Sequence, residues 1–271
     1  MTLRRPLVPL SVGSFALVAA CHSAHESVQA PPHDREFARS IEAHAGADAW
    51  RAHRAARMDI EVTFGGAPLV AGTATYATDG TAARLDTAVG DTVVWTWDDG
   101  RCWHLPAEGE GMAPPMARFQ VLTWAYFLAL PVKLNDAGTQ LRPEGRVTWE
   151  GREYDTARLT FGEDVGDAPD DWYLLYRDVE TGRLAAAAYI VSYGKSKDAA
   201  EQEPHAVVYR DPERIDGFEV PMRWTFHEWS ADDGIGTPIG EARIHDFAFV
   251  DPAPGRFAAP AGASVVPAPG G

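Results

Sequence analysis

Three histidines, a loop of five carboxylates and a Cys–His pair are the residues of this sequence whose types and spacing could do chemistry. His205, His227 and His245 fall in late segments with strand periodicity, and strand register could bring three imidazoles together as zinc ligands. The loop "FGEDVGDAPDDW" carries Glu163, Asp164, Asp167, Asp170 and Asp171, oxygens of the kind calcium takes, although not in the spacing of an EF-hand loop. "RCWH" sets Cys102 and His104 on one face if the segment is a strand, as an activated thiol would need. Each group also has a plainer role. His227 shares the parity of Arg223 and Thr225, away from Trp224 and Phe226, as a surface or rim histidine would. The acidic loop reads equally as a solvated turn before Trp172, and lone buried cysteines are commonly inert. No GxSxG, HExxH, CxxC or GxxxxGK[ST] pattern occurs, so no catalytic residue, metal site or cofactor is expected.

The balance of charge narrows the partners. The chain has 271 residues and a formal net charge of −15, and no compact Lys/Arg stripe interrupts that field. Phosphate backbones are repelled, so nucleic acid is excluded as a partner, and anionic headgroups offer no electrostatic attraction. Membrane attachment must come from the N-terminus. Arg4 and Arg5 precede the apolar run 6–20 and then Cys21, the pattern of a secretory signal too short to span a bilayer. "LVAAC" resembles the lipobox of bacterial lipoproteins, which makes Cys21 the lipidated first residue of the mature chain. His22 after it resembles the outer-membrane sorting pattern, so the expected location is the bacterial envelope, on the outer membrane facing the periplasm. Residues 22–34, with Pro31 and Pro32, read as a flexible tether, residues 35–250 as a single β domain, and residues 251–271 as a disordered Pro/Ala/Gly-rich tail.

Elements follow from periodicity. "REFARSIEAHAGADAW" reads as a helix turned at Gly46, after which the period changes to alternation: Met58, Ile60, Val62 and Phe64 mark a half-buried strand. Gly65–Gly66, Asp79–Gly80, Gly90–Asp91, Asp99–Gly100 and Asp216–Gly217 punctuate a meander of about ten or eleven short antiparallel strands. In the last, Ala242, Ile244, Phe247 and Phe249 alternate imperfectly, which signals a bulge. A sheet that long must curl, close or split. Between the two runs of strands lies "ARFQVLTWAYFLALPVKL", in which Thr123 is the one side chain from Val121 to Val132 that is neither apolar nor aromatic. At ~1.5 Å per residue it is too short to cross a membrane. It suits one task, covering the apolar inside of the curved sheet, where each buried side chain of that kind is worth about 1.5–3 kcal/mol.

The phrases "RFQVLTWAYFLALPVKLND", "LTFGEDVGDAPDDWYLLYRDVETGRLAAAAYIVSYGK" and "EPHAVVYRD" with "IDGFEVPMRWTFHEW" and "IGEARIHDFAFV" resemble a family of uncharacterised bacterial secreted proteins, the domain-of-unknown-function group numbered 6503, from about Ile41 to Phe249. Its shape is similar to that of the lipoprotein carriers and receptors LolA and LolB, whose curved antiparallel sheet, closed by helices, holds acyl chains in a hydrophobic cavity. The resemblance implies a LolA/LolB-like half-barrel with an N-terminal helix and an internal apolar helix over the concave face. It sets Phe119, Leu122, Trp124, Tyr126, Phe127 and Leu130 at the cavity. The expected function is non-covalent binding of a lipid or other hydrophobic molecule, with Arg223 or His227 at a rim meeting a polar head. An envelope hydrolase or metal-dependent enzyme, using carboxylates or histidines brought together by the fold, is one alternative, which a tight constellation of His205, His227 and His245 would favour. A structural or interaction module with a filled interior is the other.

Overall fold

Three turn dipeptides set strand register in the computed structural model, which describes residues 34–98, 100–106, 111–162 and 165–269. Gly65–Gly66, Glu150–Gly151 and Asp216–Gly217 hold positive φ at both positions, the geometry whose twist matches a two-residue hairpin. They join β1 (Ala55–Phe64) to β2 (Ala67–Ala77), β6 (Thr139–Trp149) to β7 (Arg152–Phe161), and β10 (His205–Ile215) to β11 (Phe218–Ser230). The remaining strands are β3 (Ala82–Thr87), β4 (Thr92–Thr96), β5 (Cys102–Leu105), β8 (Trp172–Asp178), β9 (Leu184–Tyr189), β12 (Gly234–Val250) and β13 (Ser264–Val266). All pair antiparallel in one curved, open sheet of order β13-β5-β4-β3-β2-β1-β12-β11-β10-β9-β8-β7-β6.

The three longer helices occupy one face. α1 (Arg35–Ala45) is capped by Asp34, whose carboxylate accepts the Phe37 N–H at 3.0 Å. Gly46, at φ 85°, ends it and admits α2 (Ala47–Ala52); a Cβ there would stand 2.1 Å from the Gly217 carbonyl oxygen, so only glycine fits. α3 (Pro114–Ala129) opens on two prolines, whose missing N–H groups cost nothing in a first turn, and runs into the 3-10 turn Leu130–Val132. The short α4 (Lys197–Ala200) follows β9.

The inner face carries one continuous apolar core. Met58, Ile60 and Val62 of β1, Val220, Trp224 and Phe226 of β11 and Ala242, Ile244 and Phe247 of β12 meet Phe37, Ile41 and Trp50 from the first two helices and Val121, Trp124 and Leu128 from α3. The expected bulge in the last long strand is present: Asp59 pairs with His245 while Arg57 pairs with Ala248, and Asp246 takes φ 47°. β7–β10 are buried on the outer face as well. There Tyr154, Trp172, Leu174 and Tyr176 lie over the small Ala186, Ala188 and Ala206, with the Trp229 indole N–H donating to the Tyr176 hydroxyl at 2.8 Å. Burial on both faces is why "WYLLY" and "LAAAAY" run apolar without alternation.

Two expectations change. Among the described residues thirteen strands form rather than ten or eleven, and the C-terminal segment is not wholly loose. Val266 pairs with Cys102 and is 1% exposed, whereas Val265 is 60% exposed. Arg256 reaches Asp86 at 2.8 Å from the same segment. A three-residue strand among Pro, Ala and Gly leaves no readable period. The signal sequence, Cys21 and most of the tether lie outside the described residues, as do Glu163 and Asp164.

Val266→Ala should lower unfolding stability by about 1.5–3 kcal/mol, the worth of a fully buried side chain of that class, while Val265→Ala should stay within about 0.5 kcal/mol of the parent. Urea titrations of the two variants check this; equal small effects would mean that the segment does not dock.

Candidate ligand-binding seam

α3 lies between the two halves of the sheet with apolar side chains on both flanks. One flank, Ala117, Val121, Trp124 and Leu128, is fully buried and faces the side formed by β2–β5. Beneath it the space is filled by rings: Trp124 and Phe127 stand 5.1–6.5 Å, centroid to centroid, from Tyr189, Trp224 and Phe226. The other flank, Phe119, Leu122 and Tyr126, is half-buried and looks toward the strand ends of β7–β9. Phe119 packs on Tyr193 at 5.3 Å, Tyr126 on Tyr173 at 5.3 Å and on Phe161 at 6.1 Å, and Tyr173 stacks on Tyr189 at 6.0 Å. This half-open aromatic seam is the candidate site. No charged residue occurs in α3 beyond Arg118, so an ordinary helix's polar outer face is missing here.

Carboxylates dominate the electrostatics at the seam, with Lys195 acting on Asp171 and Arg118 on Tyr193 in the opposite sense. Asp171, at the start of β8, accepts the Ser192 N–H at 2.6 Å, and burial pushes its carboxyl up to about 6. The hydroxyl of Tyr126 is buried with no hydrogen-bond partner among the described residues. Burial holds the Tyr126 phenol well above its ordinary range, and the two charged groups that add to this are both carboxylates, Asp136 and Asp171. Burial likewise raises Tyr173 and Tyr189, with Asp171 contributing to each.

The first turns of α3 are pinned. Arg118, 2% exposed, donates from Nη2 to Asp167 at 2.8 Å and from Nη1 to the Gly100 and Val266 carbonyls at 2.9 and 3.4 Å. Removing one partner of such a buried pair strands the other charge, at a cost of about 3–5 kcal/mol. Just before the helix, Asp91 accepts the Met112 N–H at 2.9 Å and meets His104 Nε2 at 2.7 Å. Burial alone would raise the Asp91 carboxyl; the Met112 N–H and His104 outweigh it and hold it below the usual range. The loop ahead of α3 is thereby fastened to β4 and β5.

The residues singled out from sequence divide. Trp124, Phe127 and Leu130 belong to the closed core, and Phe119, Leu122 and Tyr126 to the seam. Arg223 and His227 stand on the face opposite Trp224 and away from the seam, because successive strand residues alternate. Arg223 pairs with Asp211 at 2.7 Å, and His227, 9% exposed, spends both ring nitrogens on the Gly236 carbonyl and the Thr225 hydroxyl. Neither is a rim group. His205, His227 and His245 do not converge: among the described residues no three His, Cys, Asp or Glu side chains gather as a metal-ligand set. Cys102 and His104 do share a face, but burial pushes the thiol up to about 12, which leaves it unreactive. Asp167 and Asp171 of the acidic loop serve Arg118 and Ser192 separately. An open recess of about 380 Å³ lies elsewhere, at the start of α1, and its Arg146, Asp155 and Arg177 are paired with one another. Arg118 was not foreseen as a site group, and Asp171 was singled out only as a calcium ligand of the acidic loop; the signal for the first was a lone cation opening an apolar run.

Since the folded chain binds the Asp171 proton more tightly than the unfolded chain does, stability from this group is full below about pH 4, the unfolded value, and is lost as pH rises through about 6. Asp171→Asn should therefore gain stability relative to the parent across that window and keep the gain at neutral pH. Urea midpoints of both proteins at several pH values test it; a parallel pair of curves would show the carboxyl to be solvated.

No protein-family model and no curated protein sequence matches the chain, so the likeness to the secreted family named above stands on its quoted phrases alone. Solved structures do match. A LolA superfamily protein from Nitrosomonas europaea aligns with a TM-score of 0.52 at 12% identity over 82% of this chain and 97% of that one. A DUF1329 family protein from Desulfovibrio piger ATCC 29098 aligns with a TM-score of 0.51 at 12% identity over 81% of this chain and 95% of that one. Identity that low speaks to architecture alone. The chain has a LolA-like fold.

Proposed function

We propose that this protein is a lipid-anchored envelope protein that binds an apolar or amphipathic molecule non-covalently at the seam between α3 and β7–β9, making and breaking no bond. One observation carries the reading: α3 holds no charged side chain beyond Arg118, and its half-buried flank of Phe119, Leu122 and Tyr126 meets more aromatic surface instead of water. An acyl chain would replace the contacts between that flank and Phe161, Tyr173 and Tyr193, while the buried flank and the Arg118 pair keep the helix seated. The LolA-like fold supports the reading by analogy of architecture. Cys21 is the anchor, and the bacterial envelope the location.

A structural module with a filled interior is the second reading, and the rings packed beneath Trp124 and Phe127 favour it. Titration of a fluorescent palmitoyl probe into the soluble domain decides between them. On the first reading the probe binds saturably, and Leu122→Asp weakens it at least about tenfold, the effect of placing a charge where about 1.4 kcal/mol or more of apolar contact was made. Lipid extraction from protein purified out of its own membrane should yield an acyl species, and Cys21→Ser should move the protein to the soluble fraction. No saturable probe binding would leave the filled-interior reading in place.

A further inference from the structure

How firmly is the interior closed where β13 shuts it? The segment after β12 grips the domain at two places. At the first, Arg256 donates from Nη2 to Asp86 Oδ2 at 2.8 Å and to the Thr75 hydroxyl at 3.1 Å. Its carbonyl accepts Arg84 Nη1 at 3.4 Å. At the second, β13 pairs with β5 at the outer edge of the sheet: Ser264 opposite His104, Val265 opposite Trp103 and Val266 opposite Cys102. Among the described residues 257–269, Val266 alone is buried. Three ladder pairs and one valine must offset the conformational entropy of ordering the whole strap, which puts this strand at the low-stability end of the fold. The closed state also carries a cost on the strand that β13 covers. His104 Nδ1 is buried with no hydrogen-bond partner among the described residues, and water admitted at that edge would relieve it.

The second grip reaches α3. The Val266 carbonyl accepts Arg118 Nη1 at 3.4 Å, and the Val266 side chain belongs to the same core as Ala117 and Val121. Arg118 is thereby kept dry: its side chain is 3% exposed and that of its partner Asp167 15%. Such an ion pair holds a helix start firmly only while water is excluded, because solvation removes most of its strength. We infer that the C-terminal strand is a latch on α3. β13 swings out about the Arg256 anchor while the rest of the sheet stays folded, and its release wets the Arg118–Asp167 pair and loosens the first turns of the helix. The latch needs no guest and stands apart from the proposed function.

Thiol labelling reads the opening directly, since Cys102 lies opposite Val266 and is fully buried. In Cys21→Ser it is the only thiol of the chain. A thiol reagent should modify Cys102 at least about tenfold faster than global unfolding allows, and low urea should change the rate little, because a local opening exposes little surface. In that background Val266→Ala should speed labelling about tenfold, while Val265→Ala should leave it unchanged. Ending the chain after Gly262 removes β13 and keeps the Arg256 anchor. Hydrogen exchange of the 118–124 amides should then quicken at least about tenfold. Amides of β10 and β11 should stay as slow as in the parent, which also shows that the shortened chain folds. If it does not fold, exchange of the same α3 amides in Val266→Ala decides instead. Labelling that climbs with urea as steeply as global unfolding means that β13 opens only with the whole domain, and overturns the latch. Equal acceleration by both valine variants assigns the labelling to fraying of the edge and overturns it too. Fast, urea-insensitive labelling with α3 exchange unchanged uncouples β13 from the helix, which also ends the proposal.

Discussion

The connection between the two halves of the sheet governs the rest of the molecule. β1–β5 are laid down outward to one edge, and the next strand, β6, begins at the far edge. The chain must therefore pass from one side of a thirteen-stranded sheet to the other, and it does so over the inner face through α3. A connection in that place can meet no water on its inward side, so it must satisfy its own backbone hydrogen bonds and carry apolar side chains. A helix rich in Leu, Ala and aromatics is the solution. The greasy composition of 117–132 follows from where the chain has to go. The seam proposed for binding is what that route leaves half-covered.

Such a crossing segment needs fixed points, and they are polar. Arg118 ties its start to Asp167, Gly100 and Val266, while Asp91 gathers the Met112 N–H and His104 just upstream. Between those points and the 3-10 turn at Leu130–Val132, α3 is held by packing, by local bonds such as Trp124 to Gln120 at 2.6 Å, and by the Tyr209 hydroxyl of β10, which donates to the Phe127 carbonyl at 2.9 Å. Apolar packing is strong but has no direction, whereas the Arg118 fork fixes both position and rotation. The helix is thus located at its first turns by Arg118 and again near its end by Tyr209.

Much of this was legible in the residues. Alternation in β1 and β11, the glycine-containing turns and the break at Gly46 each express a local rule, so each was readable in advance. The covering helix was readable for the same reason, since an apolar run of that length has few other uses. What escaped was non-local. Arg118 and Asp167 are far apart in the chain, and no period links them; Asp171 looked like one of five loop acids until its neighbours showed how little water reaches it. Arg223 and His227 were given the correct parity, but parity alone does not reveal that Asp211, Gly236 and Thr225 already occupy them. β13 is too short to advertise itself.

The pairing of β1 with β12, Ala55 opposite Val250 and Phe64 opposite Gly240, joins the first strand of the fold to the last long one. During synthesis β1 stays bare along one edge until nearly the whole chain has emerged from the ribosome. Closing so large a loop is slow compared with forming the hairpins on either side. A nascent chain of this topology stays open, with its central apolar segment uncovered, for longer than a helical bundle of equal size would. Until that pairing closes, unpaired strand edges and apolar surface stand open to association with other chains.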